Sequence, residues 1–382
     1  MQKNKFKTKS WVEISKKAIF SNISSFRKIL SKETKIAAVI KANAYGHDIE
    51  IVSKLISPKV DLFAVDSIYE ALKIRENGIK KPIIILGYTP IKDLELVIKN
   101  DISFACYNRE TVRKIISLKL NKIAKVHLKI ETGTNRQGLS IGKTIKLAKE
   151  ISKYKDKIYI EGIYTHFANI EDTLDPSFAM LQLKRFNKVK EIFEDKIGKV
   201  DCCHCAASAS TILYPSTHFN LIRLGISLYG IWPSKEVKIA ELQKGTKSLK
   251  LKPVLSWKTI VAQVKNINKG ESVSYGRTWT ATKETKIAII PIGYFDGFDR
   301  KLSNSGKVLI KGKYAQVIGR VAMNMFVVDV SHIKNVKVED EVVIIGEQEG
   351  NIISADEIAD KLGTINYEVI CRINPLIPRI VI

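Results

Sequence analysis

The runs IAAVIKA (36–42), LFAVDS (62–67), IIILGY (83–88) and ISFACY (102–107) decide the fold. Each is short, apolar and free of the polar alternation of a strand with one wet face. AKVHLKIET (124–132), YIEGIYTHFA (159–168), KVDCCHCA (199–206) and FNLIRLGISLYG (219–230) continue the series. Such runs suit parallel strands buried on both faces. Helical patterns lie between them. TVRKIISLKL (111–120) and MLQLKRFNKVKEIFEDKI (180–197) carry apolar residues three and four apart. About eight strand–helix units predict an α/β fold, an N-terminal (β/α)8 TIM-type barrel. A doubly wound sheet is the alternative; the count near eight favours the barrel.

The rhythm changes near residue 250. VLSWKTIVAQVKNI, TKIAIIPIGY, GKVLIKGKYAQVIG, MFVVDVSHI and EDEVVIIG read as strands separated by Gly-containing turns. Helical pattern is scarce apart from SADEIADKLG, where Ser354 can cap. The reading is a barrel domain over 1–245 and a C-terminal all-β domain over 246–382, with KEVKIAELQKGTKSLKLK (235–252) as linker.

Bulk composition narrows the function. Lys and Arg outnumber Asp and Glu by 63 to 39, a formal charge of +24. The basic residues are mostly Lys and are spread along the chain, whereas nucleic-acid surfaces cluster them. No nucleic-acid partner is expected. Five cysteines, an odd number in a long chain, argue against a disulfide framework. The opening MQKNKFKTKSWVEIS lacks the apolar stretch of a signal peptide, and no run of about 18 apolar residues suggests a membrane span. The expected location is cytoplasmic.

Barrels carry their chemistry at the carboxyl ends of the strands. Lys41 stands at the first such end, in AVIKANAYGHD. Desolvated there, a lysine becomes a usable amine nucleophile or base. AVIKANAYGHD resembles the lysine motif of the alanine racemases, fold-type III pyridoxal-phosphate enzymes, and the resemblance extends from about Trp11 to Arg379. It implies pyridoxal 5'-phosphate as cofactor, with Lys41 as its Schiff-base lysine. It also implies interconversion of L- and D-alanine for peptidoglycan, and a homodimer.

The resemblance assigns further residues. In LKIETGTNRQG, Arg136 would grip the substrate carboxylate, and Lys129 is the lysine the family often carbamylates. His166, in GIYTHFA, would lie near the cofactor ring; without the motif it reads as a core histidine. Arg223, in FNLIRLGISLYG, would face the pyridine nitrogen and leave it unprotonated, because arginine does not give up its proton. That favours proton exchange over transamination and decarboxylation. Ser208, Gly225 and Ile226 would hold the phosphate, with Tyr45 and Tyr367 adding phenols. Tyr275, in ESVSYGRTWTA, corresponds to a second base, and Met323, in GRVAMNM, to a backbone donor for the substrate carboxylate; the partner subunit would supply both. Tyr294 fills a further tyrosine position.

The chain departs from the pattern at Ala207, Asn324, Phe295, Thr134 and Gln137. None of these removes an acid, a base or a cofactor anchor. Cys202, Cys203, His204 and Cys205 resemble a metal cluster, but alternate strand residues face opposite ways, so no metal is expected. Three rivals remain. A racemase of serine or of broader range is disfavoured by Tyr367, a non-enzymatic cofactor carrier by the β domain, and a nucleic-acid binder by the dispersed charge.

Overall fold

The computed structural model describes residues 8–245 and 248–382. The opening heptapeptide, part of the stretch read for a signal peptide, lies outside them, as do Thr246 and Lys247 of the linker. Two compact units emerge. One, the barrel unit, comprises Ala18–Ala44 and Ile49–Lys252. The other, the β unit, comprises residues up to Lys17, Tyr45–Asp48 and Pro253–Ile382.

The first strand, β1 (Ser10–Ile14), belongs to the β unit. The barrel unit then holds β2 (Lys35–Val39), β3 (Leu62–Val65), β4 (Ile83–Ile85), β5 (Ser103–Cys106), β6 (Ala124–Lys129), β7 (Ile158–Tyr164), β8 (Cys202–His204) and β9 (Leu221–Leu224). All pair in parallel, in the order β8-β7-β6-β5-β4-β3-β2-β9. Arg223 N–H of β9 reaches the Ala206 carbonyl just past β8, 3.0 Å away, so the sheet is nearly closed. The continuous apolar runs follow from this: strands covered on both faces have no wet positions to fill.

One register fault bears on function. On β6 and β7, Val126 faces Ile160 but His127 faces Gly162. Glu161 is therefore an extra residue on β7, a bulge that re-aims its side chain.

The β unit holds β1, β10 (Leu255–Ile260), β11 (Gln263–Ile267), β12 (Thr285–Ile290), β13 (Lys307–Ile310), β14 (Lys313–Ile318), β15 (Phe326–Asp329), β16 (Glu341–Gln348), β17 (Asn351–Ile353) and β18 (Arg379–Val381). The sheet runs β11-β12-β15-β14-β13-β16-β10-β1-β18, with β17 on β16. Helices Ala355–Leu362 and Asn366–Cys371 complete it; Ser354 accepts from Glu357 N–H, as its capping position predicts. The sequence boundary at 245 assigned residues 10–14 to the barrel. In the structure β1 is instead antiparallel to β10 and parallel to β18. The reason is chemical. Lys258 of β10 sits between Glu13, at 3.1 Å, and Glu341, at 3.2 Å, while buried Trp257 donates its indole N–H to Ser10 Oγ.

The stretch read as linker contains a helix. That helix, Lys235–Leu242, is capped by Ser234, and buried Glu241 accepts the Leu249 N–H at 2.7 Å.

Gly46 shows how tightly the β unit is built. It has φ +82°, and a Cβ there would meet the Ile370 carbonyl oxygen at 2.2 Å. Its own carbonyl accepts from Arg379 Nε and Nη2. Gly350 has a similar φ of +85° but open space around it. Gly46→Ala is expected to lower stability by about 2 kcal/mol or more, and Gly350→Ala by about 1 kcal/mol, because only the first adds a backbone clash to dihedral strain. Urea unfolding of the two variants checks this; equal losses would contradict it.

Candidate active site

The site in the barrel unit begins where β2 ends. After Lys41 the backbone turns left-handed: Ala42, Asn43, Ala44 and Tyr45 have φ between 52° and 54°. Each such non-glycine residue costs roughly 1–2 kcal/mol. Local hydrogen bonds hold the turn in the barrel unit. Ala42 N–H donates to Glu70 Oε1 at 2.6 Å, Ala44 N–H to the Ile40 carbonyl at 2.9 Å, and Ile49 N–H to Asn43 Oδ1 at 3.0 Å. Glu70 also accepts from Asp66 and Ser67 N–H, at the start of helix Ile68–Glu76. One carboxylate thus ties two strand ends together beside Lys41.

The loop after β6 carries Arg136. Glu131 organises it by accepting N–H bonds from the loop backbone, which outweigh burial and hold its carboxyl below the usual range. Thr134 Oγ1 donates to the His166 carbonyl at 2.6 Å. Lys129 Nζ donates to Gln137 Oε1 at 2.9 Å, and Gln137 in turn donates to Tyr107 Oη. Lys129, Thr134, Arg136, Gln137, Thr165 and His166 line one cleft. Burial, Arg136 and Arg223 bring the Lys129 ammonium down to about 8.

Arg223 is buried at the end of β9. Its Nη2 donates to the carbonyls of Thr165 and Cys205 and approaches His166 Nδ1 at 3.3 Å. Its Nη1 meets His204 Nδ1 at 2.7 Å. Tyr164 stacks on His204 at 4.8 Å, 1° from parallel. Burial, then Arg223 and Arg136, push His166 down to about 3, and burial and Arg223 take His204 well below its ordinary 6.5. Both rings are neutral at pH 7. The Ser208 hydroxyl oxygen accepts the N–H of Gly225 at 3.1 Å and of Ser227 at 3.3 Å, gathering three polar groups beside Ile226. Ala207 cannot cap the following helix; Ser210 Oγ takes its N–H instead, at 2.8 Å.

The barrel unit therefore brings together Lys41, Lys129, Arg136, His166, Ser208, Arg223, Gly225 and Ile226. The other expected residues lie in the β unit. Tyr45 and Tyr367 approach each other, ring centroids 6.1 Å apart. Tyr275 is 74% exposed, in a turn where Ser274 and Arg277 have positive φ and Ser274 Oγ donates to the Arg320 carbonyl. Met323 is also exposed, and its carbonyl accepts the Phe295 N–H at 3.1 Å. A Cβ on Gly293 would strike the Ala322 carbonyl at 2.1 Å, so the segments carrying Tyr294 and Met323 are packed as one.

Residues 14–233 match the model of the alanine racemase N-terminal domain, and 254–381 that of the C-terminal domain. The chain belongs to the alanine racemase family. It is 40% identical to an alanine racemase of Leptospira interrogans, across 98% of this chain and 96% of that one. An alanine racemase of Methanococcus maripaludis is 38% identical, across 97% and 98%. Among solved structures, an alanine racemase of Clostridium difficile superposes with a TM-score of 0.92 at 35% identity, covering 99% and 97%. One from Bacillus anthracis with bound L-Ala-P gives 0.91 at 32%, covering 99% and 96%.

Membership of the alanine racemase family leaves several structural partners that sequence reading did not single out. His127, Glu70 and Tyr107 each reach a site residue through one neighbour, and Glu161 reaches Arg223 through His127 and His204. Their one signal was polar side chains within or next to otherwise apolar runs. No helix among the described residues is long and apolar enough to cross a membrane.

The neutral histidines set a pH dependence. Below pH 6.5 the unfolded chain protonates His166 and His204 while the folded chain does not, so stability falls as pH falls. Glu161, held near 2, adds to the loss only below about 4.5. Between pH 6.5 and 4.5, His166→Asn should reduce the slope of unfolding free energy against pH by about 1.4 kcal/mol per unit, the value for one proton. Urea titrations across that window check it; an unchanged slope would mean that His166 protonates in the folded protein.

Proposed function

We propose that this protein racemises alanine with pyridoxal 5'-phosphate, as a homodimer in the cytoplasm, supplying D-alanine for peptidoglycan. The observation that carries the chemistry is the set of cations at one barrel end. Lys41, Lys129, Arg136 and Arg223 all press on His166. Such a cluster fits a ligand bearing a phosphate and a carboxylate. The donors fit as well: Ser208, Gly225 and Ile226 for the phosphate, a grouping barrels place after their last strands.

Bound there, the cofactor supplies an electron sink that acidifies the Cα–H of an amino acid. The protein's residues do the rest. Lys41 anchors the cofactor, and its Nζ exchanges a proton on one face of Cα. Tyr275 Oη of the partner subunit exchanges one on the other face. Arg136 orients the substrate carboxylate with its planar fork, and the partner's Met323 adds a backbone donor. Arg223, donor-only, would meet the ring nitrogen beside neutral His166, and Tyr45 and Tyr367 would add phenols for the phosphate.

Lys129 fits the role of the carbamylated lysine, because an ammonium held near 8 leaves some free amine to react with carbon dioxide. Incubation with 13C-bicarbonate should add one carbamate NMR signal, absent from Lys129→Ala. The same signal in the variant would move the modification elsewhere.

The principal test follows L-alanine by proton NMR in heavy water, with chiral analysis of the product. The holoenzyme should lose the Cα proton signal and form D-alanine. Lys41→Ala and Tyr275→Phe should each lower racemisation by about 10^2- to 10^4-fold, the usual worth of a general acid or base. Exchange without D-alanine would show that one face lacks its base, and Tyr275 would lose its assignment.

A further inference from the structure

Arg223 is a buried cation whose direct partners are carbonyls and two imidazoles. No carboxylate among the described residues hydrogen-bonds to it. The hydrogen bonds nevertheless continue inward. His204 Nε2 lies 3.0 Å from His127 Nδ1, and His127 Nε2 lies 2.9 Å from Glu161 Oε2. Ser103 Oγ also donates to that carboxylate.

The proton positions along this chain follow from one fact. A guanidinium N–H only donates. His204 Nδ1, facing Arg223 Nη1, must therefore accept, so the neutral His204 ring carries its proton on Nε2. That proton points at His127 Nδ1, which must accept in turn. His127 is then neutral as well and carries its proton on Nε2, aimed at Glu161. A doubly protonated His127 would set N–H against N–H at the 3.0 Å contact with His204. The chain is directional, from a fixed positive end to a carboxylate.

The backbone is shaped for this contact. Glu161 is the extra residue of the β7 bulge, which turns its side chain to His127. Gly162, next to it, leaves room for the ring: a Cβ there would lie 2.3 Å from His127 Nδ1. Burial alone would raise the Glu161 carboxyl; the hydrogen bonds from His127 and Ser103 and the charge of Lys125 work against it and lower it.

We infer that Glu161 is a positioning residue for Arg223: through His127 and His204 it fixes two imidazole tautomers, so that a lone pair is always presented to the guanidinium beside His166. Outer partners of this kind set the tautomer and orientation of groups that touch the reacting centre. The functional half rests on the reading of Arg223 as the residue facing the cofactor ring nitrogen; the relay itself does not.

The test is 15N NMR of the histidine side chains at neutral pH in the wild-type holoenzyme, Glu161→Gln and Glu161→Leu, together with racemisation kinetics. Wild type should show His127 and His204 both protonated on Nε2 alone. Glu161→Gln retains an acceptor oxygen and should keep both tautomers and most of kcat. Glu161→Leu should leave His127 with mixed tautomers and lower kcat by about 10- to 100-fold at unchanged KM. An imidazolium at His127 in the wild type would overturn the inference, even where the Leu variant fails to fold. Wild-type tautomers or an unchanged kcat in Glu161→Leu would overturn it too. Correct tautomers in a protein that racemises nothing would leave the relay standing and sink the proposed function instead.

Discussion

A guanidinium that can donate but never accept, buried where β9 ends, imposes its terms on everything packed against it. Arg223 needs acceptors on every side, and the barrel provides them as strand-end carbonyls and imidazole nitrogens. The carbonyls come without a sequence requirement, since any residue at positions 165 and 205 has one. The imidazoles do not. His204 and His166 must each present a lone pair, which requires both to stay neutral, and burial together with the neighbouring cations ensures that. The same burial that makes Arg223 costly to hold thus fixes the protonation of its neighbours. One constraint serves both folding and site chemistry.

Lys41 answers to a different constraint, one of backbone shape. Four consecutive residues with positive φ are strained, and no glycine among them relieves it. Hydrogen bonds that would be ordinary elsewhere become necessary here. Glu70 receives the Ala42 N–H, and the Asn43 side chain closes the other flank. Strain held this way fixes where Lys41 leaves the strand, which a relaxed loop could not do.

Much of this was legible in the sequence, and the exceptions share a cause. Lys41, Arg136, His166, Ser208 and Arg223 stand at or just after apolar runs, where a barrel places its chemistry, but their roles came from the resemblance to the alanine racemases and not from position. His127 and Glu161 stand inside or beside those runs. Period-two logic assigns a strand residue to a face, but one bulge reverses the assignment, and nothing in IYIEGIY announces a bulge except Gly162. The left-handed turn was equally hidden, because KANAY has the composition of a right-handed helix. SWVEI was missed as part of the β unit for another reason. Five alternating residues identify a strand, but the partner that claims them, β10, lies far downstream, and pairing at such a distance leaves no local trace.

The overall charge does not explain the positive site. The basic residues that make the total +24 are mostly dispersed, whereas Lys41, Lys129, Arg136 and Arg223 are gathered by three strand ends, those of β2, β6 and β9. Glu131, the acidic group that opposes this charge at Lys129, is occupied in holding N–H groups of its own loop. Glu161 faces His127 and reaches Arg223 only through two neutral rings. Neither carboxylate therefore neutralises the cations gathered at this barrel end, two of which, Lys129 and Arg136, line the cleft. Such cations repel one another, and on the function proposed above a phosphate with a carboxylate beside it would balance what these two acids do not.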